Sequence, residues 1–378
     1  MIRTVYLDAN ASEPLRPEAR AAAAAALATA GNPSSVHAAG RAARRVLEDA
    51  REAVAVRFGA APADVVFTSG GTEADALAVH ALGAALGRGA RVILGATEHD
   101  AVRAAAPDAE ILPVDAEGIA DLAALEAMLE QGGPALVCLM LANNETGAIQ
   151  PVARAAEICR RHGARLHVDA VQAAGRIPVD VADLGADTLA LSSHKLAGPL
   201  GAGALLLAPG LSPVAPLIAG GGQERGRRGG TPALPAISGF GAVAALPPED
   251  QARIAALRDA IERAAAAAGA VAIGAGAPRL ANTACLALPG VRADAQVIAL
   301  DLAGFAVSAG AACSSGKVAA SHVLAAMGLG ALAGQAIRVS LPWNVRDADA
   351  AAFAAVYAAM AERLRPASGA PVLAAARA

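Results

Sequence analysis

Only Lys195 and Lys317 are lysines among the 31 basic residues of this 378-residue chain; the other 29 are arginine. Arginine stays protonated at any physiological pH, whereas a lysine amine can lose its proton and attack a carbonyl. Lys195 closes the run S-S-H-K (192–195), beside a hydroxyl and an imidazole and just before G-P-L-G-A-G. A lysine kept here, in a chain that otherwise uses arginine, reads as an amine that must become neutral. A Schiff base to an aldehyde cofactor makes that demand.

Two further segments extend this chemistry. T-S-G-G-T-E (68–73) follows an apolar run and opens a helical stretch. Gly70 and Gly71 allow close backbone approach, and Thr72 adds a hydroxyl at a helix N-terminus, the makings of a phosphate seat. Glycine in such a turn also serves shape alone, and no G-x-x-x-x-G-K-[ST] loop occurs. In H-V-D-A-V-Q (167–172), Asp169 ends a very apolar run. A carboxylate there needs a partner, either a protonated ring nitrogen or an arginine. Phosphate seat, ring-nitrogen acid and amine together describe a pyridoxal 5'-phosphate (PLP) site.

Cys313, in S-A-G-A-A-C-S-S-G-K (308–317), is the candidate nucleophile. Its small neighbours and flanking glycines read as a mobile loop, with Lys317 four residues on to help hold a thiolate. Cys138, Cys159 and Cys285 sit in strand or helix patterns and read as buried small hydrophobes.

The elements that must position these residues are legible as alternation. Strands are expected at 65–68, 91–95, 135–141, 165–169, 187–191 and 203–207, with helices at 73–87, 121–131 and 151–162 between most of them. Such alternation implies an α/β fold with a mainly parallel sheet, whose binding crevice lies at the carboxyl ends of the strands. A first helix starts at Pro17 and stops at Gly31-Asn32-Pro33. After P-P-E-D (247–250) come a helix at 249–268, strands at 282–288 and 337–341, and a helix at 347–365. The expected division is a large cofactor-binding domain over 13–250 and a smaller α/β domain formed by 1–12 and 251–378. The last residues, 367–378, read as a tail.

Composition excludes several classes. A formal net charge of −3 gives no electrostatic case for nucleic acid as a direct partner. Four scattered cysteines with no C-x-x-C pair argue against a metal site or a disulfide framework and fit a reducing compartment. The start reaches Asp8 without an apolar run of signal-peptide length, and the longest uncharged stretch, 196–223, is broken by prolines and glycines. No membrane association and a cytoplasmic location are expected.

These residues, in this order, resemble the cysteine desulfurase family of PLP enzymes. The resemblance runs from Y-L-D-A-N-A (6–11) through G-N-P-S-S-V-H (31–37), T-E-H-D-A-V (97–102), N-N-E-T-G-A-I-Q-P (143–151) and G-G-G-Q-E-R-G-R-R-G-G-T (220–231) to I-R-V-S-L (337–341), with the motifs above between. It implies a type I PLP-dependent transferase fold and a homodimer with active sites at the subunit interface. By resemblance, Lys195 is the Schiff-base lysine, Asp169 pairs with the pyridine nitrogen, His99 stacks on the ring and Gln172 bonds its phenolic oxygen. Gly71, Thr72, Ser192 and His194 hold the phosphate, Thr231 reaches across from the other subunit, and Asn144 and Arg338 take the substrate carboxylate, Arg338 as a fork.

The implied reaction converts L-cysteine to L-alanine, with Lys195 moving the α-proton and Cys313 taking the sulfur as a persulfide. The Cys313 loop with A-S-H-V-L-A-A-M-G (320–328) is similar to the long-loop class, whose acceptors are iron–sulfur scaffolds or tRNA-thiolation relays. Alternatives at this level are a selenocysteine lyase, another PLP-dependent lyase or aminotransferase, and an inactive paralogue that binds a sulfur-transfer partner. Two segments depart from the pattern. Ser12-Glu13 stand where the family usually has a Thr pair, and L-P-W-N (341–344) replaces an L-G-R-F type continuation, so Pro342 and Trp343 are expected to reshape that end of the pocket.

Overall fold

The computed structural model describes residues 4–211, 214–310 and 320–365. Cys313 and Lys317, with the rest of their loop, and the tail at 367–378 lie outside the described residues.

In chain order the elements are β1 (Val5–Tyr6), α1 (Pro17–Leu27), α2 (Ala38–Arg57), β2 (Val65–Thr68), α3 (Gly71–Leu86), β3 (Arg91–Gly95), α4 (Asp100–Ala105), β4 (Glu110–Leu112), α5 (Leu122–Glu130), β5 (Ala135–Cys138), α6 (Val152–Arg161), β6 (Arg165–Asp169), α7 (Val181–Leu184), β7 (Thr188–Ser192), β8 (Gly203–Leu207) and α8 (Leu234–Ala244). There follow α9 (Gln251–Ala267), β9 (Val271–Ile273), β10 (Thr283–Ala287), α10 (Ala293–Leu302), β11 (Phe305–Ala306), β12 (Ser308–Ala309), α11 (His322–Ala326), β13 (Ala336–Ser340) and α12 (Asp347–Leu364).

The large sheet has seven strands in the order β2-β8-β7-β6-β5-β3-β4. Strands β7, β6, β5, β3 and β4 run parallel, while β8 is antiparallel to both β7 and β2. The sheet is therefore mainly parallel, and β2, β5, β7 and β8 are buried along their whole length. Helices on both faces explain why these strands read as unbroken apolar runs rather than alternating ones. The run 135–141 yields a strand only to Cys138; Leu139 and Leu141 still donate to the carbonyls of His167 and Asp169 at 3.0 and 2.8 Å.

Alanine and glycine set how closely the outer helices pack. A Cβ on Gly241 of α8 would lie 2.5 Å from Ala50 Cα of α2, so the two backbones touch only because the side chain is absent.

The second sheet is antiparallel, in the order β12-β13-β10-β9. It has its own apolar core, in which Phe305 meets Phe353 edge-on and Phe353 meets Tyr357 at a tilt, at centroid distances of 5.5 and 6.0 Å. The N-terminal segment joins it: β1 pairs with β11, Asp8 bridges Ser340, and Leu7 is buried in that core. Among the described residues no helix is long and apolar enough to cross a membrane.

Candidate active site

A cavity of about 260 Å³ opens at the carboxyl ends of the central strands. Gly71, Thr72, His99, Asn144, Asp169, Gln172, Ser192, His194, Lys195 and Arg338 all line it. Asp169 ends β6 and Lys195 follows the end of β7, so the parallel pairing of these neighbours brings carboxylate and amine to one rim.

The turn 68–73 is braced from both sides. Glu73 accepts from Ser69 N at 2.8 Å and from Arg228 Nε at 2.8 Å, which ties the 220–231 segment to the start of α3. A Cβ on Gly71 would come within 2.7 Å of Val171 and 3.4 Å of Ser192. Across this narrow gap the Ser192 hydroxyl is buried, with no hydrogen-bond partner among the described residues. An orphaned buried hydroxyl facing a helix N-terminus is the donor set a phosphate needs.

Burial pushes the Asp169 carboxyl up, and His99, the Val171 N–H at 2.9 Å and Lys195 pull it back down. Asp75 and Glu98 stand close by, and burial followed by the charge of Asp169 holds both well above the usual carboxylate range. Of the two partners open to Asp169 from sequence, no arginine pairs with it among the described residues. A protonated ring nitrogen in the cavity would add to the positive charge that His99 and Lys195 already bring to it.

Lys195 Nζ donates to the backbone carbonyls of Asn10 and of Ala11, the latter at 3.0 Å. His194 contacts Ser12 Oγ at 3.3 Å, and burial, with Lys195 and Arg176 nearby, pushes its imidazole down to about 4. His99 caps α4, its Nδ1 accepting from Ala101 N at 3.1 Å, which leaves the ring against the cavity. Arg338, on β13 of the second sheet, donates to Asp8 and to the Asn144 carbonyl.

Thr231 does not join this cavity within one chain; it lines a separate pocket with Ser69, Gly201 and Arg228. Pro342 and Trp343 do not line the cavity either. They face a neighbouring pocket, where the indole Nε1 donates to Pro14 O at 2.7 Å and Arg16 lies 4.2 Å over the ring.

Several site residues went unassigned in the sequence. Asn10 is 1 % exposed and joins both sheets, donating to Asn144 O at 3.0 Å and Thr283 Oγ1 at 2.9 Å and accepting from Asn282 Nδ2 at 3.0 Å. Asp8 and Arg176 act at similar range. Their motif, Y-L-D-A-N-A, and the arginine after the Gln172 turn are visible in the sequence, but their partners lie up to 330 residues away.

Residues 5–353 match the aminotransferase class-V family. A cysteine desulfurase of Cereibacter sphaeroides is 44 % identical over 336 residues, covering 85 % of this chain and 86 % of that protein. An IscS-like cysteine desulfurase of Mycobacterium tuberculosis is 39 % identical over 385 residues, covering 96 % of this chain and 98 % of that protein. The solved structure of a NifS-like protein from Rickettsia africae superposes with a TM-score of 0.87 at 31 % identity, covering 95 % of this chain and all of that one (100 %). With a mainly parallel sheet ending on a lysine, an acid and an orphaned hydroxyl, the chain has the type I PLP fold and belongs to the PLP-dependent cysteine desulfurase family of class-V aminotransferases.

Proposed function

We propose that this enzyme converts L-cysteine to L-alanine and passes the sulfur to Cys313 as a persulfide, for delivery to an iron–sulfur scaffold or a tRNA-thiolation relay in the cytoplasm. The observation that carries this reading is the meeting of Lys195 and Asp169, from adjacent strand ends, with Arg338 from the second sheet in one cavity.

Lys195 would hold the cofactor by its amine, Asp169 by the ring nitrogen, His99 by stacking and Gln172 by the phenolic oxygen. Gly71, Thr72, Ser192 and His194 would hold the phosphate, joined by Thr231 of a second copy in a homodimer. Bound PLP supplies an aldehyde for an amine to condense with and a ring that takes up electron density from the substrate α-carbon. Arg338 and Asn144 would orient the substrate by its carboxylate, and the Lys195 amine would move the proton at Cα. The Cys313 thiolate forms an S–S bond to the substrate sulfur as the Cβ–S bond breaks. The electron pair of that bond stays on Cβ and takes the thiol proton, so thiolate plus cysteine gives persulfide plus alanine with no outside oxidant. Residues 13–250 serve as the cofactor domain and 1–12 with 251–378 as the small domain, a division supported by the separate apolar cores and the β1–β11 pairing.

The test is incubation of the holoenzyme with L-cysteine and a reductant, measuring sulfide and alanine. Equimolar products are expected, with sulfide release lost in Cys313→Ala while the visible band of bound PLP stays. Undiminished sulfide release from Cys313→Ala would overturn the thiol relay.

A further inference from the structure

Gln172 faces the cavity, but its amide is oriented from behind. Arg176 lies four residues on, past a turn at Gly175, where a Cβ would meet Leu196 at 2.2 Å. Its Nη1 donates to both the backbone oxygen and Oε1 of Gln172, each at 2.8 Å. A guanidinium carries donors only, so the amide oxygen must face it and the NH₂ must face away. The Gln172 Nε2 accordingly donates to Asn10 O at 3.0 Å, a carbonyl that also receives the Lys195 amine. The flipped amide would set two acceptors against each other there.

Arg176 itself does not line the cavity. It faces the neighbouring pocket, where Nη2 meets Glu13 Oε1 at 3.3 Å, and Glu13 Oε2 accepts from Trp343 N at 3.3 Å. Glu13 is a position at which this chain departs from its family's usual pattern, and its carboxylate here bridges the Arg176 guanidinium and the backbone N–H of Trp343. Both Arg176 and Glu13 are out of solvent, so each is the other's counter-charge.

We propose that Arg176 is a positioning residue that, held by Glu13, fixes the Gln172 amide as a hydrogen-bond donor toward the phenolic oxygen of bound PLP. The inference rests on the reading of the cavity as the PLP site.

The test reads the position of the visible absorption band in PLP-loaded wild type, Gln172→Ala, Arg176→Met and the Gln172→Ala/Arg176→Met double variant. Arg176→Met is expected to move the band in the same direction as Gln172→Ala, and the double variant to match Gln172→Ala alone, because the two residues act as a unit. Arg176→Lys, which restores donors, is expected to move it less. If Arg176→Met does not fold, Glu13→Gln/Arg176→Met removes the stranded carboxylate and is read the same way. A band shifted by Gln172→Ala but not by Arg176→Met, or shifts that add in the double variant, would overturn the proposal. A band left in place by Gln172→Ala would overturn the assignment of Gln172 as well.

Discussion

Arg338 donates from Nη2 to Asp8 Oδ1 at 2.9 Å and from Nη1 to the Asn144 carbonyl at 3.2 Å, while its buried Nε has no hydrogen-bond partner among the described residues. Ser308 Oγ holds the other oxygen of Asp8 at 2.7 Å. The guanidinium is thus clamped at its tip, with the residue lining the cavity from the second sheet. Lysine offers a point charge in place of this rigid fork. Arg338→Lys should therefore lower kcat/KM for L-cysteine by about 10- to 100-fold, the cost of one or two charge-assisted hydrogen bonds, mainly through KM. Turnover of cysteamine, which has no carboxylate, should change little. Steady-state kinetics with both substrates checks this, and an unchanged KM for L-cysteine would remove Arg338 from carboxylate recognition.

In the proposed function, Lys195 is one position where the chain's preference for arginine conflicts with the chemistry. Guanidinium does not deprotonate, so Lys195→Arg should show no visible PLP band on reconstitution. Sulfide release should fall at least about a hundredfold, the usual worth of a positioned proton-transfer group. Absorbance and sulfide assays on the same preparation decide it.

Gly203 of β8 lies opposite both Thr68 and Ser192 in the sheet, directly under the turn before α3. A Cβ there would lie 2.5 Å from the Gly70 carbonyl carbon and 2.7 Å from its oxygen. Backbone cannot swing aside as a side chain does, so Gly203→Ala must displace the turn before α3, the proposed phosphate seat. Overpacking of this kind costs about 1–3 kcal/mol, which corresponds to a PLP Kd raised by about 5- to 150-fold if the turn absorbs the strain. Equilibrium dialysis against PLP is the measurement; an unchanged Kd would place the strain elsewhere.

His167 is fully buried beneath the site, with Nε2 at 3.2 Å from Asp75 and Nδ1 at 2.9 Å from Thr188 Oγ1. Burial pushes its imidazole down to about 3 from an ordinary value near 6.5. Between those values the unfolded chain binds a proton that the folded chain refuses, so this residue's contribution to stability falls as the pH drops from 6.5 toward 3. The loss amounts to at most about 5 kcal/mol. Asp75, pushed up by burial, acts in the opposite sense, favouring the fold where its carboxyl stays neutral. His167→Asn should therefore lose less Tm than wild type on acidification from pH 7 to 4, and an equal loss in both would show that other groups carry the acid limb.

Much of the fold was legible because buried parallel strands have to be apolar on both faces. The runs at 65–68, 91–95, 165–169 and 203–207 coincide with strands, and T-S-G-G-T-E opens α3. Helix α2 is absent from the sequence-based expectations, and so are the short strands β1, β4, β9, β11 and β12, which are too short to show a period of their own. The antiparallel setting of β8 has no signature either, since a strand covered on both faces reads alike in either direction.

The sequence by itself determined which reactive groups are present: the Lys195 amine, one of two in an arginine-rich chain, an acid at the end of an apolar run and a glycine–threonine turn, each at a strand end. Residue type settles what a side chain can do, because proton affinity, donor count and the absence of a Cβ are covalent facts. Only the tertiary structure decided who acts on whom. Asp8 meets Arg338, Asn10 receives Lys195, and Glu13 with Trp343 backs Arg176, across separations of roughly 160 to 330 residues. No local period encodes such pairs; they follow from the strand order of the large sheet and from how the second sheet, with β1 bound to it, packs over its carboxyl ends.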